Sequence, residues 1–242
     1  MRDEAAALYD RLRTARPELF ANTPGGIDIL LDPDSVRQAR RGTTEDADDR
    51  VGVVYADRFV TLLRDAVRFP GGALGLYVRM MSTAASPGAV ILPLLEDDSV
   101  VLVEHYRHAT RAWHWEAPRG MGAAGATGAE SAARELAEEL GTEATELLPL
   151  GSLHPDTGLI GDHVELYAAR IRRTGALDTA EGIRRTLTVH WAAAEEMVAS
   201  GIITCAFTVA VLTRARLAGL FGGGREKRDS RPEKDSGRTE KH

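Results

Sequence analysis

Residues 120–142 read GMGAAGATGAESAARELAEELGT. The core of this stretch is Arg134-Glu135-Leu136-Ala137-Glu138-Glu139-Leu140-Gly141, and a helix is expected over about 128–140. On a helix Glu135 and Glu139 stand four residues apart with Glu138 beside them, so three carboxylates share one side of about one and a half turns. Like charges at that spacing cost about 0.2–0.5 kcal/mol per pair. Hard divalent cations such as Mg²⁺ or Mn²⁺ prefer oxygen ligands and would offset the repulsion. The opposite face carries Ala129, Ala132, Ala133, Leu136 and Leu140, a stripe expected to be buried. Gly141 ends the helix where a left-handed residue is wanted.

An acidic run on an amphipathic helix is most often only a solvated face. Here the helix follows a glycine-rich loop, and the loop follows an apolar, strand-like stretch. The spacing from Gly120 through Arg134-Glu135 to Glu138-Glu139 and Gly141 resembles the Nudix box of the Nudix hydrolases. That pattern runs Gly, five residues, Glu, seven residues, Arg-Glu-apolar-any-Glu-Glu-any-Gly-apolar. Two positions depart from it: the isolated Glu falls on Ala126 and the last apolar residue on Thr142. Thr142 is β-branched and can start a strand. Ala126 matters more, because the family's Glu there often pairs with the box arginine, which leaves Arg134 expected to lack that partner.

The rest of the chain bounds the reading. With 242 residues, 43% hydrophobic and 27% charged, it has the make-up of an ordinary globular protein with a full core. A net charge of −6, with no basic stripe before the tail, argues against a nucleic-acid surface. No apolar run approaches the ~20 residues that span a bilayer. The first residues, MRDEAAALYDRL, have no signal-peptide core. The single cysteine, Cys205, suits a reducing cytoplasm and reads as a small buried residue before a nucleophile.

Residues 3–16 are expected as an amphipathic helix stopped by Pro17, and 32–50 as an exposed helix or loop. Val51–Asp57, Arg58–Phe69 and Leu74–Met81 alternate as strands, with Pro70-Gly71-Gly72 turning the chain. Val90–Leu95 and Val100–Tyr106 flank a hairpin turn. Leu147–Leu153, Val164–Ile171 and Thr186–Trp191 read as strands, and Ala194–Ala199 and Ala206–Leu217 as helices. From Gly222 the chain has no apolar side chain but Pro, so 222–242 is expected to be a disordered, solvated tail. The domain reading is 1–50 as a helix and exposed segment, 51–84 as a β-subdomain, and 85–221 as the catalytic domain.

The likeness extends past the box. Val103-Glu104-His105-Tyr106-Arg107, Trp115-Glu116-Ala117-Pro118-Arg119-Gly120 and the Arg68-Phe69-Pro70-Gly71 turn resemble the ADP-ribose pyrophosphatase branch, and the likeness covers about residues 50–218. It implies an α/β/α sandwich with a mixed sheet and a small N-terminal β-subdomain used for homodimerisation. It also implies Mg²⁺- or Mn²⁺-dependent cleavage of a nucleoside diphosphate linked to another group, ADP-ribose or a nucleotide sugar first. A nucleotide-binding sensor on the same fold is the alternative, supported by Ala126.

Candidate roles follow. Glu135 and Glu139 are expected metal ligands, with Glu138 third or water-mediated, and by resemblance the Arg119 carbonyl completes the cage. Arg107 is expected on the substrate's phosphates, since a guanidinium matches them bidentately. Glu116 either borders the metal or pairs with a neighbouring arginine. Trp113 and Trp115 either stack on a base or pack in the core or a dimer interface. His105, His108 and His114 lack a metal spacing and read as structural or solvent-facing. Asp162 falls where the branch carries its catalytic glutamate and is the first candidate for the base. Glu165 is the second, although alternation from Val164 could turn it away, and Glu138 follows.

Overall fold

The computed structural model describes residues 2–42, 49–84, 86–177, 179–180 and 182–221. The expected tail, 222–242, lies outside the described residues, as does part of the 32–50 segment. The chain opens with α1 (Arg2–Ala15), and Pro17 begins a short 3₁₀ turn, Pro17–Phe20. Then come β1 (Asp28–Ile29), α2 (Pro33–Arg41), β2 (Gly52–Ala56), β3 (Val60–Arg68) and β4 (Leu74–Ser82). β3 is the spine of this first sheet. β4 runs antiparallel along one edge, from Val60↔Ser82 to Arg68↔Leu74, while β2 and β1 share the other.

A buried charge must be paired, and Asp65 on β3 is only 2% exposed. Arg79 Nε donates to it at 2.6 Å, and the Tyr9 hydroxyl of α1 donates to its other oxygen. Arg79 also donates to the Leu19 carbonyl at 2.7 Å. One ionic node thus holds α1 and the 3₁₀ turn against the sheet.

The second sheet contains β5 (Gly88–Leu94), β6 (Ser99–Arg107), β7 (Ala112–Glu116) and β8 (Arg119–Gly120). After α3 (Gly128–Leu140) it adds β9 (Glu146–Leu153), β10 (Val164–Arg170) and β11 (Ile183–His190), and the described chain closes with α4 (Trp191–Ala199) and α5 (Ala206–Leu217). Its main order is β11-β6-β5-β10-β9. β10 lies parallel to β5 and the other pairings are antiparallel, so the sheet is mixed. β5 and β6 touch at Leu94↔Val100 and then splay. β7 fills the gap along β6, from Val103↔Glu116 to Arg107↔Ala112, and β8 fills it along β5.

Period-two alternation sorts the side chains onto two faces. Val90, Leu92, Leu94, Val100, Leu102, Leu166 and Ala168 pack against α4 and α5 through Ala194, Val211, Leu212 and Ala215. Ala89, Ile91, Val101, Val103 and Ala169 pack against α3 through Ala132, Leu136 and Leu140. Each fully buried leucine contributes about 1.5–3 kcal/mol. The result is the expected mixed α/β sandwich, with α3 alone on one face. The buried stripe of α3 is narrower than the sequence suggests: Ala129 and Ala133 are exposed, and Glu135 and Glu139 take part in its buried side. Trp191 begins α4 and is not the end of a strand. Among the described residues no helix is long and apolar enough to cross a membrane.

At the outer side of β6, Arg184 grips both oxygens of Glu104 at 2.6 Å and Arg185 adds a third bond at 2.5 Å. These bonds and charges outweigh desolvation and hold the Glu104 carboxyl at about 2. A folded value below the unfolded one, near 4.5, contributes stability above that unfolded value and loses it as pH falls toward about 2. Thermal melts should therefore show Glu104→Gln less stable than the wild type at neutral pH, with the two curves converging between pH 4.5 and 2.

Candidate active site

The splayed ends of β5 and β6, the loop before α3 and the loop before β10 enclose a cleft of about 960 Å³. Its floor is set by a close approach. Gly120 pairs with Ala89, and a Cβ at Gly120 would overlap the Glu135 carboxylate. Only glycine lets that carboxylate, 4% exposed, lie on the β8 backbone.

α3 delivers it. Thr127 accepts from the Glu130 N–H at 3.2 Å while Glu130 accepts from the Thr127 N–H at 2.7 Å, a capping box that starts the helix. Gly141, at φ 56°, ends it. Glu138 is half-exposed at the cleft and Glu139 is 2% exposed beneath it, outside the cleft-lining set. Arg134 spans the helix carboxylates, 2.7 Å from Glu135 and 2.8 Å from Glu138, and donates to the Met121 carbonyl at 2.9 Å. Arg134 lacks a carboxylate partner at position 126, as Ala126 implies, and has these three partners instead. Among the described residues no three His, Cys, Asp or Glu side chains meet as a ligand group. Arg134 stands between Glu135 and Glu138, and Glu139 is buried.

The opposite wall is cationic. Glu116, 3% exposed, accepts from Arg107 Nε at 2.8 Å and lies 3.4 Å from Arg119. Burial raises its pKa, but Arg107, Arg119 and His105 outweigh that and hold it below the ordinary carboxylate range. Of the two readings of Glu116, the geometry is that of the ion pair. The pairing pins the two guanidinium groups at the cleft, where Arg119 also stacks over Phe207 at 5.1 Å. His105, which the sequence reads as structural or solvent-facing, lines the cleft 3.3 Å from Arg107. The two are two residues apart on one strand, so the signal was present.

Asp162 reaches the cleft on a loop docked against the first sheet. Met80 N–H donates to Leu159 O at 2.8 Å and Gly161 N–H to Met80 O at 3.0 Å. The Tyr77 hydroxyl donates to Gly158 O at 2.6 Å, and the Ser82 N–H donates to the Asp162 carboxylate. β4 thus holds this loop by donating from two backbone N–H groups, one of them to Asp162, by accepting from Gly161, and through the Tyr77 side chain. Arg16, just before the 3₁₀ turn, also lines the cleft. No local pattern marks it, since its position depends on how α1 docks.

Three candidates lie elsewhere. Trp115 packs on the α4–α5 face with Arg185 5.2 Å above its ring. Its neighbour Glu116 points to Arg107 and Arg119, so alternation sends Trp115 to the other side. Trp113 is 40% exposed on that side, under Arg184 at 4.2 Å. Glu165 is on the α3 face, not the opposite one, but it bonds Tyr167 and does not line the cleft.

Residues 85–202 match the NUDIX domain family and are a domain of it. The chain is similar to the ADP-ribose pyrophosphatase of Mycobacterium tuberculosis, 32% identical over 142 residues, which are 58% of this chain and 64% of that protein. It is also similar to the CMP-5'-(N-acetyl-N-hydroxy-3-aminopropyl)phosphonate hydrolase of Streptomyces rubellomurinus, 31% identical over 121 residues, 48% of this chain and 55% of that one. The methanol dehydrogenase activator of Bacillus methanolicus is 29% identical over 118 residues, 48% of this chain and 62% of that protein. The chain spans less than two thirds of each of these relatives. A solved structure described as an ADP compounds hydrolase superposes with a TM-score of 0.58 at 21% identity, covering 69% of this chain and 91% of that one, which supports the fold.

Proposed function

We propose that the protein is a Mg²⁺- or Mn²⁺-dependent hydrolase of a nucleoside diphosphate linked to another group, with ADP-ribose or a nucleotide sugar as substrate. The observation that carries this is the single cleft lined by Glu135 and Glu138, Asp162, and the Arg107–Arg119 pair. A divalent ion suits the donor chemistry: the Glu135 carboxylate packs against Gly120, next in sequence to Arg119, and hard cations prefer carboxylate and carbonyl oxygens. Glu135, Glu139, Glu138 and the Arg119 carbonyl would hold it. When bound, the ion neutralises phosphate oxygens and lowers the pKa of water. Arg107 and Arg119 hold the phosphates in the orientation Glu116 gives them. Asp162, fixed by the Ser82 N–H, accepts the proton of the attacking water. The products are a nucleoside monophosphate and a sugar phosphate.

The chain is proposed to act as a homodimer through the 51–84 subdomain, where Tyr55 and Phe59 expose their rings. Arg134 between Glu135 and Glu138, with Ala126 in the loop, favours a second reading: a nucleotide-binding module without turnover. A screen of nucleoside diphosphate derivatives with Mg²⁺ and Mn²⁺ separates the two. Metal-dependent release of monophosphate supports the hydrolase; binding without release supports the module.

A further inference from the structure

Along β10, Leu166 and Ala168 face α4 and α5, so Glu165, Tyr167 and Ala169 face α3. Strand register puts Glu165 in one row with Ala89 of β5 and Gly120 of β8. Two strand spacings across that row measure ~9.6 Å. Seven residues of helix, from Gly128 to Glu135, measure ~10.5 Å. α3 therefore lies along the row, with Glu135 seated on Gly120 at one end and Gly128 seated on Glu165 at the other. The second seat is as close as the first. A Cβ at Gly128 would overlap the Glu165 carboxylate and come within 2.8 Å of the Tyr167 hydroxyl.

The chemistry of this end is complementary. A helix N-terminus carries partial positive charge and favours a carboxylate. The capping box serves Thr127 and Glu130 on the outer side, and Glu165 approaches from the sheet. Tyr167, 7% exposed, donates its hydroxyl to Glu165. Burial first, and then the Glu165 bond and charge, push this phenol up to about 12, so it stays a donor. The loop before α3 has Ala126 where the box pattern has a carboxylate, while a strand supplies one two residues further on.

We infer that Glu165 and Tyr167 are positioning residues: together they seat the N-terminal end of α3 and so fix where Glu135 and Glu139 stand. The seating stands on geometry alone; its consequence for catalysis rests on the proposed metal site. Backbone hydrogen exchange tests the seating in the full chain. Glu165→Gln and Tyr167→Phe should speed exchange in the first turns of α3 about 10-fold, the size expected on losing a partly buried carboxylate at a helix end, with α5 unchanged. Gly128→Ala should do the same in the wild-type background and add nothing beside the double variant Glu165→Ala with Tyr167→Phe, which removes both groups a Cβ would meet. Mn²⁺ binding without substrate tests the consequence, and Glu165→Gln should weaken it about 10-fold, as for residues that orient metal ligands. Its pH–rate profile should keep the wild-type acidic limb. Unchanged exchange in α3 overturns the inference, as does loss of the acidic limb in Glu165→Gln, which would make Glu165 the base. If the wild type binds no Mn²⁺, the metal reading fails, while exchange still decides the seating.

Discussion

Asp162→Asn is expected to lower turnover by about 10²- to 10⁴-fold with little change in KM, because a general base acts in the transition state and contributes little to binding. Asparagine keeps the size of the side chain and can still meet the Ser82 N–H through its carbonyl oxygen. The loop should therefore stay docked on β4, where Met80 and Tyr77 hold it. A pH–rate profile checks the role: the acidic limb should vanish in Asp162→Asn and persist in Glu165→Gln. If neither substitution matters, the water is activated without either residue, and Glu138 becomes the candidate.

The second large effect is expected at Glu139. Glu139→Gln should cost on the order of 10²-fold in turnover by removing one charged oxygen donor from the site. The sequence put this side chain on a polar face; the structure buries it to 2% exposure. Glutamine matches its shape, so no cavity opens, and a melting temperature within a few degrees of wild type is the control. Unchanged Mg²⁺-dependent turnover in a folded Glu139→Gln would remove Glu139 from the metal site.

How much of this could be read from the sequence varies with the range of the interaction. The extent of α3 was legible because its cap, its periodicity and Gly141 all lie within the element. So were most strands, from alternation and turns. β8, at two residues, is too short to show a period and exists because splayed β5 and β6 leave a gap. The parallel register of β10 on β5 joins segments over seventy residues apart, and no local pattern encodes it. Within the site, Arg134 shows the limit well. Ala126 shows that the family's partner is missing, but not that Glu135, Glu138 and the Met121 carbonyl take its place. Trp115 could have been assigned correctly, because Glu116 beside it belongs on the arginine side. Arg16 could not, since the buried Asp65–Arg79–Tyr9 node decides where the N-terminal segment lies.

The most direct test of the account is the fate of ADP-ribose incubated with the purified full chain, with Mg²⁺ and again with the metal chelated. AMP and ribose phosphate are expected in the presence of metal, and neither when it is chelated. Tight binding of ADP-ribose with no AMP released at any Mg²⁺ or Mn²⁺ concentration would contradict this.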